Sequence, residues 1–366
     1  MSKKKGLLSW ITNRILLCFA AFLLMITYLT TFINPAKIWF IEIFGIVFIP
    51  LVILNLVLLV WAIIRRSKAF LIPFIALLPS LLFIGRYIQL PGNETKNLQK
   101  LDIVSIDSDK ENQIKMLSYN VGRFTPNKDI PSRAACMDSI AQLVLQENAD
   151  IICLQEFYIR SQQSVNSLCN KYFPNYQVTY YTYNSRQGKY GNVTLSRLPV
   201  TDKGVVKFEN STNLALYTDH VYKGKKFRIY NCHFQSYNIS IPGIVNALGK
   251  DKDIIHKTEL KMRASITRRP IQVDQVLQHI ENCPIGSVVC GDFNSNPMSY
   301  TYHRLSRGRK DCFEEAGKGV GATYSILWPF LRIDYILVPS DITPLEYKYT
   351  KRNFSDHYPI TSTLKI

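Results

Sequence analysis

Ser287-Val-Val-Cys-Gly-Asp-Phe-Asn-Ser-Asn296 is the stretch on which the fold turns, and Gly291-Asp292-Phe293-Asn294 is its centre. Ile285 to Cys290 is a short, mostly apolar run with adjacent valines that stops at a glycine. That is the pattern of a buried strand. Asp292 and Asn294 follow two residues apart, and positions two apart on extended chain project to one side. A carboxylate and an amide held together at a strand end suit a metal-bound water or a phosphate oxygen. The same residues, followed by Asn296-Pro297, also make an ordinary Asx-type turn. Taken alone, the stretch leaves both readings open.

Charge and composition narrow the surroundings. The 366-residue chain has a net charge of +17, and it divides unevenly. Residues 1–95 hold nine Lys/Arg and two acids, a net +7, within a strongly apolar segment. The remainder holds 35 basic and 25 acidic residues, a net +10, with the mixture of a soluble domain. A domain at +10 favours anionic partners: nucleic acid, phosphorylated small molecules or acidic headgroups. Of eight cysteines, Cys18 lies in an apolar span. The other seven show no CxxC or Cys/His spacing, so no structural zinc site and no complete disulfide framework are expected.

Outward from the centre, the N-terminal region 1–90 contains three apolar runs. Ile15 to Ile33 is uncharged over nineteen residues. Ile38 to Ile64 is interrupted by Glu42, Pro50 and Asn55, and Ala69 to Gly85 is broken by Pro73 and Pro79. A bilayer core needs about 20 apolar residues. Three transmembrane helices are therefore expected, at about 12–34, 38–64 and 69–89. The basic clusters Lys3–Lys5 and Arg65–Lys68 go to the cytoplasm by the positive-inside rule. Three crossings then place everything after Leu90 on the non-cytoplasmic side, in an integral protein of the plasma or inner membrane. Residues 91–112 read as a polar linker and 113–366 as one catalytic domain.

Within 113–366, strands are expected at Gln113–Asn120, Ala149–Leu154, Tyr176–Tyr181, Asn192–Ser196, Leu214–Val221, Lys226–His233, Ile285–Cys290, Ile333–Val338 and Ile360–Leu364. Helical periodicity runs over Arg133–Asn148 and on either side of Pro270 over Lys257–Glu281. The result is an α+β sandwich in which sheets pack together and helices cover them.

Polar residues recur where these strands end. Asn120, Glu156, His233, Asp292 with Asn294, and Asp356-His357 each close a strand or the last loop, and Asp334 opens one. Singly, each has a plain structural reading as a turn residue, a solvated acid or a core histidine. Together they form one set of amides, carboxylates and two histidines.

That set carries a resemblance. The ordered series Leu117-Ser-Tyr-Asn-Val121, Leu154-Gln-Glu156, Tyr190-Gly-Asn-Val-Thr-Leu-Ser196, Asn231-Cys-His-Phe234, Gly291-Asp-Phe-Asn294, Arg332-Ile-Asp-Tyr-Ile336 and Ser355-Asp-His357 resembles the endonuclease/exonuclease/phosphatase superfamily over about residues 113–366. The resemblance implies a four-layer sandwich of two packed β-sheets flanked by helices, with a Mg²⁺-dependent phosphoesterase site (Mn²⁺ as an alternative). It implies Glu156 as principal metal ligand, with Asn120 and Asp356 beside it. It implies His357 as general base oriented by Asp334, Asp292 positioning the water, and Asn294 and Asn192 near the phosphate. His233 would stabilise the transition state or protonate the leaving group. The long segment between His233 and Asp292 holds Arg268 and Arg269, expected to contact substrate phosphate or anionic lipid. The substrate is then a nucleic acid or a phospholipid- or inositol-phosphate-type ester, and no protein partner is called for. The competing reading, a non-catalytic membrane-anchored binding protein on the same fold, predicts losses among Glu156, Asp292, Asp334 and His357. All four are present.

Overall fold

The computed structural model describes residues 2–90, 112–186, 188–237 and 252–366, with side chains described from residue 13 in the first helix and from 253 in the long one. The expected linker at 91–112 lies, but for its last residue, outside the described residues. The chain divides into two compact units that do not follow chain order. One takes the N-terminal segment to Tyr87, the long helix up to Pro270 and Asn296–His303. The other takes the rest.

In the N-terminal unit the helices are Ser2–Leu29, Ile41–Ile46, Phe48–Ile64 and Leu71–Leu77, followed by single turns of 3₁₀ helix. Among the described residues no helix is long and apolar enough to cross a membrane, which corrects the expectation of three transmembrane helices. The second apolar run breaks at Val47, leaving a 17-residue helix about 25 Å long against a hydrocarbon core of about 30 Å. The third run breaks into short pieces, with Pro73 inside the seven-residue helix and Pro79 in the first turn of the next segment. The placement of the catalytic portion on the non-cytoplasmic side counted on three crossings, and these helices do not supply them.

What the apolar runs build instead is a packed core. Tyr28 stacks on Phe83 with ring centroids 5.6 Å apart, Phe48 packs on Tyr87, and Leu24 is fully buried between them. Asn55, polar and fully buried, donates to the carbonyls of Ala20 and Leu51, so its amide cross-braces two helices. The same unit holds Asn296–Met298. Thr30 and Thr31 both donate to the Met298 carbonyl, and Arg86 donates to that of Pro297.

Among the described residues the second unit contains fourteen strands. In chain order they are β1 Ile88–Gln89, β2 Gln113–Asn120, β3 Ile151–Ile159, β4 Gln177–Asn184, β5 Lys189–Ser196, β6 Val200–Lys207 and β7 Leu214–Tyr222. Then follow β8 Lys225–His233, β9 Gly286–Asp292, β10 Arg309–Asp311, β11 Gly319–Val320, β12 Asp334–Pro339, β13 Thr343–Tyr349 and β14 Ile360–Lys365. β1 and β11 pair alone. The other twelve form two six-stranded sheets, ordered β13-β14-β2-β3-β5-β4 and β10-β12-β9-β8-β7-β6. Each sheet is antiparallel except for one central parallel pair, β2 with β3 and β8 with β9. The helix Arg133–Gln146, capped by Ser132, makes the first of those crossovers. The described part of the second is the helix Lys252–Glu281, which runs through Pro270 without the expected interruption.

Alternation along the strands separates two cores and places the site. On β2, Leu117 and Tyr119 join the cluster under the helices, while Ile114 and Met116 join the cluster that also takes Phe227 and Ile229 of β8 and Val288 and Cys290 of β9. The inter-sheet face therefore carries Ile114, Met116, Ser118 and Asn120 in sequence, then Ile229, Asn231 and His233, then Val288, Cys290 and Asp292. Apolar side chains give way to polar ones on that face at the ends of the central strands. Neither the inter-sheet core nor the polar set would survive a one-residue slip of register.

Candidate active site

Strand register assembles the polar set. His233 of β8 lies beside Asp292 of β9, and Asp292 lies beside Asp334 of β12, so three functional side chains stand in one row. Gly291 makes that row fit. Its φ of 125° is a conformation that L side chains rarely adopt, and an added Cβ would stand 2.0 Å from the Cys232 carbonyl oxygen. Asn294 follows with φ 49°, which turns its backbone N–H onto Asp292 Oδ1 at 2.8 Å. Its side-chain amide donates to Asp292 Oδ2 and to the Phe234 carbonyl. Asn294 thus fastens Asp292, and these two donations point into the protein.

In the other sheet, Glu156 sits in a bulge of β3 where pairing with β5 skips between Leu154 and Phe157. Its φ of 51° costs about 1 kcal/mol or more for a non-glycine residue, and it aims the carboxylate out of the ladder. Glu156 Oε1 is 3.6 Å from His233 Nε2, and Asn120 Nδ2 lies 3.5 Å from Oε1 and 2.8 Å from Asp292 Oδ2. Asn120 therefore joins the two sheets. Its Oδ1 accepts from the Gly122 N–H.

The last loop is tied to the end of β2. Ser355 Oγ donates to the Asn120 carbonyl and accepts from the His357 N–H. His357 Nδ1 then lies 2.9 Å from Asp334 Oδ2, and its Nε2 faces Asp292 at 3.7 Å. Thr323 Oγ1 accepts the N–H groups of Ile333 and Asp334 and fixes the strand start. Asp356 is exposed at the rim, with its Oδ1 3.2 Å from Ser355 Oγ.

The model of the Endonuclease/Exonuclease/phosphatase family matches residues 117–357, which contain every one of these side chains. The chain belongs to that family. A second model, of a domain of unknown function, matches residues 8–87. No curated protein sequence matches. Among solved structures, an endonuclease/exonuclease/phosphatase from Bacteroides vulgatus is 16% identical with a TM-score of 0.53, over 69% of this chain and 99% of that one. D. rerio TDP2, humanized by 14 mutations, is 19% identical with a TM-score of 0.51, over 70% and 100%. The human Nocturnin catalytic domain, with a bound sulfate anion, is 14% identical at 0.51, over 69% and 93%. At these identities the likeness is one of fold.

Electrostatics give the members of this family site different characters. Burial, helped by Asp334 and opposed by His357 and His233, leaves Asp292 raised to about 6. Burial alone would depress His357, yet Asp334 and Asp292, with the Asp334 hydrogen bond, carry it well above the ordinary histidine range. For Glu156, burial is likewise overcome, here by His233, Arg123 and His357, and its carboxyl is held below the usual range.

Two of the three expected substrate contacts are buried. Arg269 is 1% exposed and sits in the N-terminal unit, where its charge acts on the equally buried Glu42. It does not present a guanidinium to solvent. Arg268 is exposed in the same unit. Asn192 is buried and donates to the Asn231 carbonyl at 2.9 Å, so it braces β8 from β5.

Sequence reasoning passed over four contributors. Asn231 and Gln155 form a buried amide pair between the sheets, with Gln155 Nε2 2.8 Å from Asn231 Oδ1. Both stand beside assigned residues, and a polar residue at an inter-sheet position was the available signal. Tyr324 sets its ring 5.3 Å from His357. Arg123 places Nε 3.2 Å from Glu156 Oε2.

Proposed function

We propose that the chain is a divalent-metal-dependent phosphoesterase in which His357 activates water for attack on a phosphate ester. The observation that carries the reading is the His357–Asp334 hydrogen bond, with the free Nε2 turned toward Asp292 and the Glu156 carboxylate across the same pocket. His357 Nε2 takes the proton of the attacking water, Asp334 holds the ring and stabilises the imidazolium, and Asp292 orients the water. His233 Nε2 is buried with no hydrogen-bond partner among the described residues, a donor position that suits a phosphate or leaving-group oxygen.

The residues fit a hard cation. Glu156 and Asp356 offer carboxylate oxygens of the kind Mg²⁺ or Mn²⁺ takes, and the Asn120 amide, whose oxygen accepts from the Gly122 N–H, lies beside Glu156. Asp292, Asp334 and His357 also bring one ligand atom each within 4.8 Å of one another. Nδ1 of that histidine is already committed to Asp334, which favours a catalytic dyad there over a metal cage. When bound, the ion neutralises negative charge growing on the phosphate. The full chain, incubated with Mg²⁺ and a panel of oligonucleotide, phosphoinositide, sphingomyelin and a generic diester, is expected to release phosphate product from at least one. EDTA should abolish turnover and added Mg²⁺ restore it. No metal-dependent turnover on any substrate would favour the non-catalytic binding protein.

The N-terminal unit adds a location to this reading. Its helices turn Ile15, Phe19, Phe22, Val57, Ile64 and Leu82 outward, each more than half exposed. We propose that this surface attaches the enzyme to a lipid membrane. Full-length protein is expected to float with neutral liposomes through a density gradient. Protein left at the bottom would remove the membrane from the proposal, and a reporter fusion after Leu90 would assign the side.

A further inference from the structure

Beyond the catalytic carboxylates, β4 and β5 carry a surface that the phosphoesterase reading does not use. Tyr183 is paired with Tyr190 and Tyr181 with Asn192, so these four side chains share one face of the sheet. The Tyr181 and Tyr183 rings lie 5.3 Å apart, edge to face. Lys207, from β6 of the other sheet, places Nζ 4.6 Å from the Tyr181 ring centre. Arg123 places its guanidinium carbon 5.2 Å from the Tyr190 ring centre while its Nε meets Glu156. The three tyrosines are half-buried and the two cations exposed. One arginine therefore spans from the metal-ligand carboxylate to the first ring of an aromatic face, and a lysine stands at the far ring.

Arg123 is aimed there by unusual backbone. Gly122, Arg123 and Phe124 have φ values of 53°, 58° and 54°. A left-handed run costs about 1 kcal/mol or more at each non-glycine position. Phe124 repays part of this by packing edge-to-face on Phe157 in the core, which leaves Arg123 as the outward member. A tyrosine cluster by itself reads as packing. Cations at both its ends, one joined to Glu156, are what point to a ligand.

We infer that Tyr181, Tyr183 and Tyr190, flanked by Arg123 and Lys207, form a stacking platform for bases of a single-stranded nucleic acid whose phosphate enters the catalytic pocket. The inference rests on the phosphoesterase reading and names its substrate class. Planar π faces next to cations match the alternation of base and phosphate along a single strand. In a duplex the base faces are stacked away from such a surface. A phospholipid or an inositol phosphate brings the phosphate without an aromatic plane, so the rings would add nothing to its binding.

Binding, measured without turnover, separates this inference from the phosphoesterase reading. The full chain is titrated in EDTA against a fluorescein-labelled thymidine octamer, and against an abasic octamer with the same number of phosphates. Wild type is expected to bind the thymidine octamer about tenfold more tightly, within the range that base–aromatic stacking supplies. Tyr183→Leu/Tyr190→Leu should erase that preference, and Tyr183→Phe/Tyr190→Phe, which keeps both π faces, should retain it. Equal affinity for the two octamers in wild type, or a preference that persists in the leucine variant, overturns the platform. Tighter binding of phosphoinositide vesicles than of the octamer, lost in the leucine variant, would overturn the nucleic-acid assignment. A preference for bases without any metal-dependent hydrolysis would leave the platform standing and sink the phosphoesterase.

Discussion

His357→Ala is expected to lower kcat by about a thousandfold with little change in KM, within the range that a general base contributes. Alanine would take from Tyr324 the ring it packs against and from Asp334 its partner. That carboxylate is 1% exposed and loses its hydrogen-bond partner at Nδ1. A modest loss of stability should therefore accompany the loss of rate. Asp334→Asn separates the two roles. It keeps the shape, removes the charge facing the imidazole, and should also cost a large factor in kcat. The pH profile supplies the sign. Attack needs the neutral imidazole, and burial alone would make that form easy to reach; the Asp334 and Asp292 charges overcome burial and hold the proton on the ring. The wild-type rate should rise with pH through a limb lying above the ordinary histidine range. In Asp334→Asn that limb should move to lower pH even as the plateau falls. Stopped-time assays from pH 5 to 10 would read both quantities. An unshifted limb in Asp334→Asn would remove the dyad, and full turnover in His357→Ala would remove the base.

The strands that carry the site were legible because each is either a mostly apolar run or a roughly alternating one that ends at a polar residue. Gln113–Asn120 coincides with its expected bounds, and the strand before Gly291 differs by a residue or two. Edge strands gave weaker signals. Val200–Lys207 contains Thr, Asp, Lys and Gly in succession and lies at a sheet edge, half exposed, so no alternation marks it. Glu156 was recognised as a strand-end acid, but its position depends on a bulge and a positive φ that the residues Gln155-Glu156-Phe157 do not announce. Arg123 was invisible for the same reason, since a left-handed turn places it. The apolar N-terminal runs illustrate a different limit. Hydropathy measures the preference to leave water, and helices packed around Leu24 and Phe48 satisfy it in part, with Ile15, Phe19 and Phe22 still turned outward. Arg269 was read by charge as a phosphate contact, whereas it shares burial with Glu42, a residue 227 positions earlier. Charge in a sequence does not say which charge lies opposite.

Glu156→Gln should remove activity at ordinary Mg²⁺ and weaken metal binding by at least about a hundredfold. Loss of an outer partner to a metal ligand already costs 10–100-fold, so loss of the ligand charge should cost no less. The substitution is nearly isosteric and leaves the bulge in place. Both residues pay a similar penalty at φ 51°, so backbone strain does not distinguish them. What changes is charge. The wild-type carboxylate is half-buried, and His233, Arg123 and His357 offset the desolvation that would otherwise raise its pKa. Without it, the two histidines and Arg123 face one another with Asp292 as the nearest remaining acid to His233. Isothermal titration with Mn²⁺, performed without substrate, would read the metal affinity directly, and thermal melts in EDTA would read the fold. Retained metal affinity with lost turnover would assign Glu156 to the chemistry rather than to the metal. Retained affinity and retained turnover would move the metal site to the Asp292, Asp334 and His357 cluster, where three ligand atoms also converge.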